Sequence, residues 1–141
     1  MKLYKNYIDG KWLDSESKDV IQVDDPATGN IIGEISCAKK NEVDLAVSAA
    51  KAAFNSRILV DMPLLERGKL MHRIADETRK VADEGGKMLC YENGKMLGSA
   101  IKEFNDVADM FDYYAGLTDK LEGKTIPVSP TIFDYTVLEP F

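Results

Sequence analysis

Three side chains in this sequence have the chemistry of a general base or a nucleophile. His72 is the single histidine, and Cys37 and Cys90 are the two cysteines. An imidazole can act as a general base near neutral pH, and a cysteine becomes a nucleophile when its pKa is lowered. No serine or cysteine stands at a spacing from His72 that indicates a catalytic pair. We therefore interpret His72 as a surface or boundary residue of a helix, and both cysteines as small buried hydrophobic residues.

A second set of candidates surrounds the turn Glu92-Asn93-Gly94-Lys95. The Glu92 carboxylate could face a cation or backbone N–H groups, and Lys95 could bind an anion. The structural alternatives are a polar helix C-terminus and a solvated lysine, and we favour these. The pair Tyr113-Tyr114 could stack on a ligand, but its helical spacing with nearby phenylalanines favours core packing. With no phosphate-binding glycine motif, no H-E-x-x-H and no C-x-x-C, the residues alone define no active site.

Length and composition limit the classes of protein to consider. The 141 residues give room for one domain, and the formal net charge of -6 argues against a nucleic-acid surface. No apolar run approaches the roughly 20 residues that cross a membrane. Two cysteines are too few for a disulfide framework, and the N-terminus lacks the apolar core of a signal peptide. These features predict a reduced, cytoplasmic protein.

Two helical patterns fill the stretch from Pro63 to Leu121. Apolar residues in the second pattern recur at steps of three and four, which places them on one face of a helix that must be buried. This face carries Leu97, Ile101, Phe104, Ala108, Phe111, Ala115 and Thr118, and the opposite face carries Lys102, Glu103, Asp106, Asp109 and Asp112. The pair Gly85-Gly86 is predicted to break or bend the first pattern, because glycine is a poor helix former.

The two ends of the chain contain the β-prone segments. Asp9-Gly10 predicts a tight hairpin turn, and two strands follow around residues 20–23 and 31–35. A helix is predicted to start near Asn41, with that residue as its N-cap. Residues 123–130 are predicted to be loop, and residues 132–138 to form a strand with no later partner.

Several segments, in this order and spacing, resemble the aldehyde dehydrogenase superfamily. They are Tyr7-Ile8-Asp9-Gly10-Lys11-Trp12, Asp25-Pro26-Ala27-Thr28-Gly29, Val43 to Phe54, Glu66-Arg67-Gly68-Lys69-Leu70 with Ile74-Ala75-Asp76, Glu92-Asn93-Gly94-Lys95, Tyr113-Tyr114-Ala115-Gly116, Leu121 to Pro127 and Glu139-Pro140. Together they cover essentially the whole chain. The sequence departs from the family pattern at Asp25, where asparagine is usual, at Leu59, where tryptophan is common, and at Gly85-Gly86-Lys87-Met88, where the stretch is usually more helical.

The resemblance implies the N-terminal portion of an α/β fold that is mainly helical, with short N-terminal β-hairpins and a C-terminal strand. Residues 1–131 would form the outer strands and helices of an incomplete cofactor-binding domain, and residues 132–141 would begin an oligomerisation hairpin. The parent enzyme would be a homo-oligomer that oxidises a small-molecule aldehyde to a carboxylic acid with NAD or NADP. We expect no nucleic-acid or membrane partner.

Two further expectations follow from the resemblance. The family's catalytic cysteine, glutamate and asparagine lie beyond Phe141, so the isolated chain is expected to bind no cofactor and to be inactive. A structural cation is expected from backbone oxygens of Val23 and Asp24 and the carboxylate of Glu92. The alternative is a stand-alone helical interaction module derived from this fold.

Overall fold

A computed structural model describes residues 2–139 of the chain and consists of four helices and seven short strands in that range. The helices are α1 (Lys40–Asn55), α2 (Leu64–Lys80), α3 (Ala82–Asn93) and α4 (Leu97–Ala115). The strands are β1 (Leu3–Tyr4), β2 (Asn6–Ile8), β3 (Lys11–Leu13), β4 (Val20–Asp24), β5 (Ile31–Ser36), β6 (Thr125–Ser129) and β7 (Ile132–Tyr135). This arrangement confirms the predicted α/β class with its mainly helical body.

The N-terminal strands form two small sheets. Strands β2 and β3 pair as the predicted hairpin, whose turn residues Asp9 and Gly10 have φ angles of 52° and 74°. Such positive angles are typical of the Asp-Gly hairpin turn. Strand β4 pairs with β5 in antiparallel fashion, with Ile21 opposite Ile35, as predicted. The parallel pairing of β1 with β5 was not predicted, because two residues are too few to show an alternating pattern.

Helix α4 is the centre of the helical body and packs against both α2 and α3. The fully buried residues at these contacts are small: Ala75, Ala100 and Ala108 have no exposed surface. Because small side chains let helix backbones approach closely, α4 packs on α2 and α3 through close backbone approach and not through large apolar side chains. The predicted apolar face of α4 is confirmed at Ala108, although the helix ends at Ala115 and not near Leu121.

The predicted break at Gly85-Gly86 is wrong. Helix α3 runs through both glycines, and the interruption lies at Val81, which separates α2 from α3. A Cβ atom on Gly86 would stand 2.5 Å from Cγ1 and 2.9 Å from Cα of Ile101, and one on Gly85 would overlap the ring of Phe104. The glycines are therefore where α3 touches α4, and this packing outweighs their low helix propensity.

Two acidic residues of α4 bond to α2. Asp109 stays exposed, as predicted, with 70% of its side chain accessible, whereas Asp112 is partly buried at 34%, which corrects the sequence prediction for Asp112. Arg79 donates hydrogen bonds of 2.6 Å to both Asp109 and Asp112, and the Asp112 carboxylate also lies 2.6 Å from Nδ1 of His72. The His72 and Arg79 contacts lower the pKa of Asp112, and the two carboxylates raise the pKa of Arg79. This cluster joins α2 to α4 along one side.

The N-cap of helix α1 lies two residues earlier than predicted. Lys39 is the N-cap, and Asn41 lies in the first turn, where its side chain donates to Glu16. The position is set by Glu42, a residue that is 4% exposed and whose carboxylate accepts the backbone N–H of Lys39 at 2.9 Å. A carboxylate in the first turn also complements the helix dipole.

The buried Glu42 carboxylate predicts a specific loss of stability in acid. Hydrogen bonds from the Glu16 and Lys39 backbone and from Ser15 lower its pKa from 4.5 to about 2. Its contribution to stability is therefore complete above pH 4.5 and is lost as the pH falls toward 2. At neutral pH the denaturation midpoint of the unmodified chain should exceed that of Glu42→Gln. This difference should disappear as the pH approaches 2. A difference that stays constant over this range would contradict the assignment of the acid-sensitive stability to Glu42. The other charged groups beside Glu42 are Glu16, Asp19 and Lys39.

The C-terminal segment forms a hairpin that the sequence analysis only half identified. Strand β7 was predicted, but its partner is the preceding strand β6, with Thr125 opposite Tyr135. The prediction of loop at residues 125–129 is wrong, because a β-prone run can pair backward as well as forward. Every residue of β6 and β7 is exposed. Pro140 and Phe141, the end of the predicted oligomerisation hairpin, lie outside the described residues.

Large apolar side chains remain exposed across the rest of the surface. The apolar face of α1 is open, since Val43, Val47 and Phe54 are each more than half exposed. Tyr113 and Tyr114 are 64% and 50% exposed, so the prediction that they pack in a core is wrong for this chain. No helix among the described residues is both long and apolar enough to cross a membrane.

Candidate functional site

Two turns meet at the end of the helical body and define the candidate site. Gly94 ends α3 in a left-handed conformation, with φ 71°, and its missing Cβ would stand 3.1 Å from Cγ of Pro26 in the β4–β5 turn. A larger residue with this φ angle would be strained and would push the two turns apart. The E-N-G-K segment therefore has a structural reason for its glycine.

The β4–β5 turn is held by the carboxylate of Asp25. One oxygen accepts the backbone N–H of Ala27 at 2.9 Å, and the other accepts the hydroxyl of Thr28 at 2.9 Å. Asp25 is buried, and aspartate at this point forms the same local turn bonds that an asparagine oxygen can form. The departure from the usual asparagine thus leaves the turn intact.

A cavity of about 240 Å³ lies between the three-stranded sheet and α3, beside these turns. Its lining is mostly apolar and consists of Tyr4, Val23, Ile32, Gly33, Ile35, Met88 and Glu92. Glu92 is the single charged residue in this lining. The Tyr4 hydroxyl lies 3.7 Å from the sulfur of Met88, so sheet and helix touch across the cavity.

The structure brings together two of the three residues predicted to hold a cation. Val23 and Glu92 line the same cavity, whereas Asp24 is exposed and lies outside the lining. Within residues 2–139, no group of three or more His, Cys, Asp or Glu side chains is arranged to hold a metal ion. A hard cation takes six or more oxygens, so this chain alone offers an incomplete set of ligands.

The other candidate side chains have partners that suit structural roles. His72 is bonded to Asp112, and its side chain is 56% exposed, as expected for a boundary residue. Lys95 forms an ion pair with Glu103 of α4. Its charge therefore has a partner within the chain, which corrects the prediction of a solvated lysine. Cys37 and Cys90 are free thiols at the end of β5 and within α3, and both are only half-buried, so the prediction that they are buried is wrong.

The contacts that bind distant segments together were not predicted from the sequence. Asp25, Glu42 and Arg79 were not singled out for the roles that they have in the structure. Glu42 supplies the glutamate half of a capping box, but Lys39 is not one of the residues that mark an N-cap, so the sequence signal is incomplete. The bonds from Arg79 to α4 have no such signal, because their partners are 30 and 33 residues away.

Comparison with known proteins shows which family has this arrangement. A sequence profile of the aldehyde dehydrogenase family matches residues 12–141, nearly the whole chain. The chain belongs to the aldehyde dehydrogenase family. Among curated relatives, it is 36% identical to human retinal dehydrogenase 2 over 99% of its length. It is 34% identical over 94% of its length to the D-glyceraldehyde dehydrogenase (NADP(+)) of Picrophilus torridus.

Solved structures share the backbone as well as the sequence. An NAD+ complex of aldehyde dehydrogenase from Bacillus cereus superposes with a TM-score of 0.85 and 28% identity, over 95% of this chain. The NAD-dependent aldehyde dehydrogenase of Sinorhizobium meliloti gives a TM-score of 0.81 and 32% identity, over 91% of this chain. The chain spans 27% of the length of the two curated relatives, and 28% and 26% of the two solved chains.

Proposed function

We propose that this chain is the N-terminal part of an enzyme that oxidises an aldehyde to a carboxylic acid with NAD or NADP. The observation that carries the proposal is the match to the aldehyde dehydrogenase family over residues 12–141, together with the shared backbone of an NAD+ complex. In such enzymes a cysteine thiolate attacks the aldehyde, and the nicotinamide cofactor accepts the hydride. The catalytic cysteine, glutamate and asparagine would lie beyond Phe141, so the chain alone would bind no cofactor and catalyse no turnover.

The role of this chain in the proposed enzyme is structural. Helices α2–α4 and the small sheets would form the outer part of a cofactor-binding domain, and their exposed apolar faces would be covered by the rest of it. The hairpin of β6 and β7 would contribute to a homo-oligomer, which fits its complete exposure here. We place the enzyme in the cytoplasm, where its two free cysteines would stay reduced, and we assign it no nucleic-acid or membrane partner.

A chimeric enzyme tests this proposal directly. The matching N-terminal segment of the Bacillus cereus aldehyde dehydrogenase is replaced by this chain, and NAD-dependent aldehyde oxidation is measured. We expect the chimera to retain activity, and the 141-residue chain alone to show none with either NAD+ or NADP+. A Cys90→Ala chimera serves as the matched control and should be as active as the unmodified chimera.

Two outcomes would contradict the proposal. A soluble, folded chimera without activity would favour a stand-alone interaction module that cannot replace the segment. Turnover by the chain alone that Cys90→Ala abolishes would show a nucleophile within this chain.

We also propose the structural cation site of Val23, Asp24 and Glu92. Its support is the shared cavity of Val23 and Glu92 beside the two turns, with further oxygens supplied by water or by other parts of the enzyme. Sodium chloride should then stabilise the unmodified chain more than choline chloride does, by about 1.4 kcal/mol when the sodium concentration is ten times its dissociation constant. Glu92→Gln should remove this difference, and Glu84→Gln, on the same helix, should keep it. Equal effects of the two salts on the unmodified chain would refute the site.

A further inference from the structure

The connection between β3 and β4 is attached to the start of α1 by an unusual concentration of hydrogen bonds. We call residues 14–19 the strap. The strap has no regular secondary structure, so its conformation depends on contacts with other segments. These contacts converge on residues 37–42, where β5 ends and α1 begins.

The inner contacts of the strap centre on one carboxylate. Oε1 of Glu42 accepts the Ser15 hydroxyl at 2.9 Å and the backbone N–H of Glu16 at 2.6 Å. Its other oxygen, Oε2, accepts the backbone N–H of Lys39 at 2.9 Å. The Ser15 hydroxyl also lies 2.5 Å from the carbonyl oxygen of Cys37. Glu42 therefore joins the strap, the end of β5 and the first turn of α1.

The outer contacts are more open to water. The carbonyl oxygen of Asp19 accepts the backbone N–H of Cys37 at 3.0 Å, and its carboxylate pairs with Nζ of Lys39 at 2.6 Å. Asn41 donates to the Glu16 carboxylate at 2.8 Å. The side chains of Lys39 and Asp19 are 54% and 65% exposed, and such pairs contribute little because water replaces them.

Because the inner contacts are buried and the outer contacts are open to water, the Glu42 carboxylate is the group that holds the strap in place. Glu42 is buried, and removing its carboxylate would leave the backbone N–H groups of Glu16 and Lys39 without their acceptor, while the Ser15 hydroxyl would keep the Cys37 carbonyl oxygen. We propose that Glu42 fastens the strap to the start of α1, and that the strap opens as a unit while helices α2–α4 stay folded.

The packing of the helices makes such a local opening possible. The main contact of α1 is with β2, while α2, α3 and α4 pack among themselves. The apolar face of α1 is exposed in this chain and adds no burial at its first turn. Segments with few buried contacts open at lower free energy than the core of a protein. An open strap would free both backbone groups of Cys37 and release the β2–β3 hairpin from α1.

Hydrogen exchange of the full chain, followed by mass spectrometry at neutral pH, tests the proposal. In Glu42→Gln, an amide NH₂ takes the place of one acceptor oxygen, so that a hydrogen-bond donor faces the donors that the carboxylate had accepted. We expect exchange in residues 14–19 and 37–42 to rise about tenfold or more, as for the loss of a buried charged acceptor. Exchange in α2–α4 should stay at the parent rate.

The matched control is Asp44→Asn, which changes an exposed carboxylate on the same helix that pairs with Lys40. It should leave exchange in both segments unchanged. A second variant, Ser15→Ala, removes one strap donor and should raise exchange in the same two segments to a smaller extent. Unchanged exchange in Glu42→Gln would overturn the proposal, as would an equal rise throughout α2–α4 in both Glu42→Gln and Ser15→Ala.

Discussion

Gly86→Ala is expected to destabilise the chain by about 1–3 kcal/mol or more, although alanine is the better helix former. The new methyl group would stand 2.5 Å from Cγ1 of Ile101 and 2.9 Å from its backbone N and Cα. A side chain can change rotamer, but the backbone of α4 can move only if α3 and α4 separate. Chemical denaturation, followed by helical circular dichroism, should show a lower midpoint with an unchanged slope.

Gly98→Ala is the matched control, because Gly98 is also in a helix but has no atom within 4 Å of its missing Cβ. At this position the conformational preference acts alone, so the variant should be more stable by up to about 1 kcal/mol. The two identical substitutions should therefore change stability in opposite directions. A gain of stability in both would mean that α3 and α4 do not approach as closely as described.

Gly123→Ala is expected to open the C-terminal hairpin without unfolding the helices. A Cβ at this position would overlap the carbonyl oxygen of Thr136, across the open end of the β6–β7 pair. The clash would break the 2.9 Å bond from the Thr136 N–H to the Lys124 carbonyl and the 2.9 Å bond from the Lys124 N–H to the Thr136 hydroxyl. Amide exchange in residues 124–136 should approach that of an unpaired chain.

Gly116→Ala provides the control for this second substitution. The nearest atom to its missing Cβ is the Tyr113 carbonyl oxygen at 3.4 Å, an ordinary contact distance. It should leave the exchange of the hairpin at the parent rate. Protection that persists in residues 124–136 of Gly123→Ala would show that the hairpin closes without the approach of Gly123 to Thr136.

Local signals in the sequence predicted the elements that depend on local interactions. Asp9-Gly10 predicted its hairpin, because the turn conformation is determined by those two residues. The three- and four-residue spacing predicted helix α4, because an apolar face follows directly from helix geometry. The turn from Glu92 to Lys95 was identified by resemblance, and in the structure Pro26 lies where a side chain on its glycine would begin.

The errors occurred where a distant segment decides the local structure. Gly85-Gly86 looked like a helix breaker, because the sequence does not show that Phe104 and Ile101 occupy the space of its missing side chains. Tyr113 and Tyr114 have helical spacing, but no other described segment covers them in this chain. In the candidate site, the shared cavity of Val23 and Glu92 depends on how the sheet meets α3, which no local pattern encodes.

The alanine contacts of the helical body have a thermodynamic consequence. No large side chain among the described residues is fully buried, whereas many large apolar side chains already face water in the folded chain. The heat capacity increment of unfolding arises mainly from newly hydrated apolar surface, and typical domains show about 12–15 cal/mol/K per residue. For this chain alone the increment should be smaller, which gives a flatter dependence of stability on temperature and a weaker tendency to unfold in the cold.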